Sequence, residues 1–160
     1  MRPSRLCTLC ILGCLLLGAA DPFVGTWKLR SDKSNFAPGA PIFFFATIVV
    51  ESAGNGLKST TSTADGEGVA SDFTFNCPLD GTPCKVTSSL PLRGSWSMDT
   101  MSLKRVDQHT IMATGSKQGR FVYEDRRVVS ADGNTMTVTR QGTTPEGKQY
   151  ESTIVLTRSR

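Results

Sequence analysis

Histidine is nearly missing from this 160-residue chain, and His109 is the only one. No cluster of cysteine, histidine and aspartate accompanies it, so it is read as an exposed residue of the Asp107–Thr110 turn and no metal site is expected. A serine triad would need that histidine and a nucleophile elbow, and no Gly-x-Ser-x-Gly occurs. Gly54-Asn55-Gly56 is not followed by a helical segment, which sets aside a phosphate loop. The carboxylates Asp65, Asp80, Asp132 and Glu146 each precede a glycine, where such residues build turns before they build catalytic pairs. Basic residues come in pairs, Lys104-Arg105 and Arg126-Arg127, and not as a stripe with aromatic platforms, so nucleic acid is not an expected partner. The expectation is a non-enzyme without cofactor.

Long apolar runs are also scarce. The run Leu6 to Leu17 falls short of the ~20 residues that span a bilayer, and no later stretch approaches that length. Behind Arg2 and Arg5, and ahead of Gly18-Ala19-Ala20, this run reads as an export signal over residues 1–20, leaving one domain at 21–160. The protein is therefore expected in the periplasm or outside the cell. The alternative is lipid anchoring through Cys14 in Leu12-Gly13-Cys14, but apolar Leu15-Leu16-Leu17 stands where a polar tether belongs. The net charge is only +4, and two of the cations lie in the leader.

Of five cysteines, Cys77 and Cys84 remain after the leader. An even number in an exported chain favours a disulfide. Asp80-Gly81 between them signals a reversal that can bring the Cα atoms within the about 4.4–6.8 Å a disulfide needs. Closing so short a loop adds about 2 kcal/mol.

Strand patterns fill the rest. Val24–Arg30, Ile42–Glu51, Leu57–Thr63, Val69–Phe75, Lys85–Ser88, Asp99–Val106, Thr110–Ser116, Arg120–Ser130, Thr135–Gln141 and Tyr150–Arg158 are apolar or β-branched and bounded by turn residues. Ser89–Ser97 reads as a loop. Alternation puts Met136, Val138 and Arg140 on one face of their strand, Phe73 and Phe75 on one face of another, and Met101, Leu103 and Arg105 on one face of a third. About eight to ten short antiparallel strands joined by tight turns avoid exposed edges by closing, so the expected fold is an all-β, up-and-down barrel, with a β-sandwich as the alternative.

The opening Gly25-Thr26-Trp27-Lys28-Leu29, then Asp32-Lys33-Ser34, the block Asp99–Arg105 and the block Arg127–Met136 resemble the lipocalin and fatty-acid-binding-protein (calycin) superfamily, in particular small exported bacterial lipocalin-like proteins. The resemblance implies that Trp27 packs across the closed end of the barrel and that Gly25 permits a close approach. It also implies that a late arginine lies over the indole, with Arg158 as candidate, a contact of about 0.5–2 kcal/mol. Two departures matter. Ser31–Pro41 is too short for the helix pair of fatty-acid-binding proteins, and the chain end lacks the tyrosine of their Arg-x-Tyr carboxylate clamp.

The candidate ligand-binding residues are Arg105 and Arg140, on the apolar parity of their strands. Inside a barrel each needs a partner, either Asp125 or Asp99 or an anionic head group. Phe43, Phe45, Val49, Phe73 and Phe75 would line the interior with Met101, Leu103, Met136 and Val138. The same lining is the recipe for a solid core. Two functions follow. One is a binding module for a small apolar or amphipathic, anionic ligand, with a cavity of a few hundred Å³. The other is a filled barrel that meets an envelope protein, as a structural or inhibitory module, through an apolar patch at Phe43 and Phe44 or the Pro91–Trp96 loop.

Overall fold

The computed structural model describes residues 20–90, 97–144 and 146–159. The leader and Cys14, and the Pro91–Trp96 loop, lie outside the described residues. The strands are β1 (Gly25–Leu29), β2 (Phe43–Ala53), β3 (Gly56–Asp65), β4 (Ala70–Pro78), β5 (Asp80–Thr87), β6 (Thr100–Asp107), β7 (Thr110–Lys117), β8 (Arg120–Val129), β9 (Thr135–Thr143) and β10 (Gln149–Arg158). Each pairs antiparallel with its sequence neighbour, and β10 returns to β1, closing a ten-stranded up-and-down barrel. Trp27 sits opposite Arg158 on one side and Ile48 on the other, so β1 has no free edge and a sandwich is ruled out. This topology is consistent with a calycin-like fold. The connection from β1 to β2 holds only a short 3₁₀ turn, Ser31–Lys33. No helix among the described residues is long and apolar enough to cross a membrane.

Short polar side chains make the turns. Asp65 Oδ1 accepts the backbone N–H groups of Glu67 and Val69 at 3.0 and 2.8 Å, and Asp80 Oδ1 accepts that of Thr82 at 2.8 Å. Asp107 and Asp132 do the same for His109 and Asn134. These carboxylates mimic a backbone turn and let consecutive strands reverse within a few residues.

Cys77 and Cys84 form a disulfide with Cα atoms 5.2 Å apart. β5 begins earlier than the sequence pattern suggests, at Asp80, because it pairs along β6 from Asp80 opposite Lys104 to Lys85 opposite Thr100. Against β4 it pairs only at Thr74–Thr87 and Phe75–Val86. The disulfide covalently bridges the part of the β4–β5 seam where that ladder is missing.

Inward residues follow the two-residue period and form one core that includes Trp27, Phe75, Met101, Leu103, Ile111, Met136 and Leu156. The start of β1, the end of β10 and the β2–β3, β4–β5, β6–β7 and β8–β9 turns lie at one end, the base. The connections β1–β2, β3–β4, β5–β6, β7–β8 and β9–β10 lie at the other, the rim.

Candidate ligand site in the barrel interior

The base is closed by side chains from both chain ends. Trp27 is fully buried and its Nε1–H donates to the Phe23 carbonyl at 2.9 Å. The Arg158 guanidinium lies 4.3 Å above the indole and donates to the carbonyls of Gly133 and Pro22, each at 2.6 Å, and to that of Val24. Gly25 has φ +140°, and a Cβ there would strike the Arg158 guanidinium. The position thus requires glycine twice over, by backbone conformation and by space. Arg105 is also at the base. It pairs with Asp21, donates to the Gln108 carbonyl at 3.1 Å, and stands 5.5 Å from the Phe23 ring.

The rim half holds a different arrangement. On β8, Tyr123, Asp125 and Arg127 share the inward parity with buried Val129, and register sets Asp125 opposite Arg140 of β9. Arg140 grips Asp125 with two bonds, Nε to Oδ1 at 2.7 Å and Nη2 to Oδ2 at 2.9 Å. Arg127 adds Nη2 to Oδ2 at 3.0 Å. The Asp125 side chain is 1% exposed, that of Arg140 11% and that of Arg127 13%. The Arg140 guanidinium also stacks 3.9 Å above the Tyr123 ring, whose hydroxyl points to the Met98 sulfur at 3.1 Å.

Burial alone would raise the Asp125 carboxyl, but the charges and hydrogen bonds of Arg140 and Arg127 outweigh it and hold the group below the ordinary carboxylate range. Burial likewise works against the charge on Arg140, and the Asp125 carboxylate more than compensates, so Arg140 is raised and stays ionised. Burial pushes the Tyr123 hydroxyl up to about 12. One carboxylate thus serves two guanidinium groups, leaving a surplus positive charge inside the wall. Among the described residues, the buried Arg127 Nε has no hydrogen-bond partner.

This cluster borders a cavity of about 50 Å³ with Phe43, Thr61, Thr63, Phe73, Val138 and Ile154. A second, of about 20 Å³, lies toward the base among Phe23, Leu57, Ser59, Phe75, Leu103 and Ile111. Arg127 and Met136 line both and form the partition between them. The larger space falls well short of the about 300–1,000 Å³ of drug-sized ligand sites. The interior is mostly packed solid, which corrects the expectation of a cavity of a few hundred Å³.

The structure separates several residues that the sequence pattern grouped. Arg140, Phe43, Phe73, Met136 and Val138 meet at the main cavity, and Phe75, Leu103 and Met136 at the smaller one. Met101 is buried in the core away from both. Arg105 is at the base, paired with Asp21 rather than with Asp125 or Asp99, and so belongs to neither cavity. Phe45 is 51% exposed, on the outside of the barrel with Val49, because a register shift between Phe43 and Phe45 reverses the parity along β2. Neither residue lines the interior. Tyr123 and Arg127 were not among the candidates, although the alternation Tyr123-x-Asp125-x-Arg127-x-Val129 carries the signal that places them inside. His109 is half-buried in its turn, and no group of potential metal ligands forms among the described residues. Neither the protein-family models nor the curated proteins compared with this chain match it, so its placement rests on the closed antiparallel barrel.

Proposed function

We propose that this protein is a non-enzymatic, exported binding module that takes the charged end of a small amphipathic anion into the rim half of its barrel. The observation that carries this reading is the sharing of Asp125 by two buried arginines. A surplus buried cation is costly without a counter-charge, and an anionic head group supplies one with charge-assisted hydrogen bonds. The 50 Å³ cavity suits a carboxylate and the first carbons of its chain rather than a whole lipid. The apolar remainder would lie toward the rim, where Ile42, Phe44 and Phe121 are exposed.

A second reading, a filled barrel that docks on an envelope protein, draws on the small cavity and on Phe44, which is 67% exposed beside exposed Ile42 and Phe45. Titration with straight-chain carboxylic acids of increasing length, followed by calorimetry and by native mass spectrometry, separates the two. The binding reading expects one acid per chain and at least a tenfold loss of affinity in Arg127→Met, as for a hydrogen bond to a charged group worth about 1.5–3 kcal/mol. No binding at millimolar acid, with a bare polypeptide mass from native material, overturns it in favour of the docking module.

A further inference from the structure

The smaller cavity, on the base side of Met136, has chemistry of its own. Its walls are hydrocarbon and thioether apart from Ser59 and Arg127. Ser59 is 2% exposed, and its Oγ, like Arg127 Nε, is a buried polar atom without a partner among the described residues. Two residues with unmatched polar atoms line this one buried space, which is unusual, since buried donors are nearly always paired.

The space of about 20 Å³ is that of a single water-sized particle. A water there would accept from Arg127 and from Ser59, but for its own two protons the lining offers, besides the Ser59 oxygen, only weak acceptors, the Met136 sulfur and the ring faces of Phe23 and Phe75. Guanidinium nitrogen only donates, and a serine hydroxyl can turn its proton toward an acceptor. The lining therefore matches an occupant that accepts hydrogen bonds and donates none. The local charge agrees, because Arg127 shares its one carboxylate with Arg140. Oxyanions such as phosphate or sulfate are too large for the space.

We propose that this cavity is a halide site, in which the Arg127 Nε–H and the Ser59 Oγ–H donate to one chloride ion. The site draws on the same surplus charge as the amphipathic-acid reading, so chloride and the acid are rivals for it, but its test contains no acid and turns on Ser59, which the acid reading does not use. Melting temperatures are compared in sodium chloride and sodium gluconate at equal ionic strength, and crystals soaked in sodium bromide are measured at the bromine absorption edge. A saturable rise of roughly 4 °C at a tenfold excess over Kd is expected with chloride over gluconate. An anomalous peak is expected within contact of Arg127 Nε and Ser59 Oγ. Ser59→Ala keeps the wall and the Arg127–Asp125 pair intact and should weaken chloride affinity about tenfold, which reduces the rise at the same chloride concentration to about 1 °C. Arg127→Met should abolish it. Equal melting temperatures in the two salts, bromide found only on the surface, or an undiminished chloride effect in Ser59→Ala each overturn the proposal.

Discussion

The two halves of the barrel bury arginine in opposite ways. At the base, Arg158 covers Trp27 and spreads its donors over three carbonyls, while Arg105 is matched one to one with Asp21 at a place both reach solvent. In the rim half, Arg140 and Arg127 converge on a single, almost wholly buried Asp125. Among the described residues, the first arrangement leaves no buried guanidinium donor without a partner, whereas the second leaves the Arg127 Nε–H unmatched. The difference shows that an inward arginine is not by itself a binding residue, and that the ratio of cations to acceptors around it decides the matter.

The two halves differ most at their carboxylates. Asp125→Asn strands two buried guanidinium groups and should cost about 3–5 kcal/mol in chemical denaturation, whereas Asp21→Asn, at a part-exposed pair, should cost at most about 1 kcal/mol. Equal losses would erase the distinction between the halves. The same contrast has a pH form. Because the folded-state value of Asp125 is depressed, its contribution to stability is complete above the unfolded value of about 4 and falls away as pH drops through the folded value. Asp125→Asn should flatten that part of the acid-unfolding curve.

Arg158→Met tests the base. It removes the cation over the indole and three donors to carbonyls, for an expected loss of about 2–3 kcal/mol in denaturation, without altering acid binding at the rim. A change in acid affinity as large as that of Arg127→Met would show that the two ends are not independent.

A smaller effect is expected from alkaline titration. The chain has two tyrosines, with Tyr123 pushed up to about 12 by burial and Tyr150 also raised by burial. Tyrosinate absorbance of the folded protein should lag that of the unfolded chain, which titrates near pH ~10. Both groups favour the neutral form when folded, so their contribution to stability is intact below the unfolded value and is lost as pH rises toward the folded one. A native titration that coincides with the unfolded one would contradict the buried placement of Tyr123. The smallest effect belongs to the rim, where Phe44→Ser should change stability by less than about 0.5 kcal/mol, as measured by denaturation.

Sequence alone was sufficient for the architecture because its signals are local. Alternation has a period of two residues and can be read within one strand, as in Met136-x-Val138-x-Arg140. Turns at Asp65-Gly66 and Asp132-Gly133 are set by neighbouring residues, and the Cys77–Cys84 spacing confines its own loop. What the tertiary structure decided is everything that depends on which strands meet across the wall. Arg140 finds Asp125 through the β8–β9 register, while Arg105, of the same inward parity, ends 84 residues away in sequence on Asp21. A bulge in β2 moves Phe45 from lining to surface, and bulges are set by the fit of neighbouring strands rather than by a residue pattern. Cavity size is the remainder after all inward side chains have packed. No strand's own sequence contains that remainder, and here it leaves a small space beside two arginines that share one carboxylate.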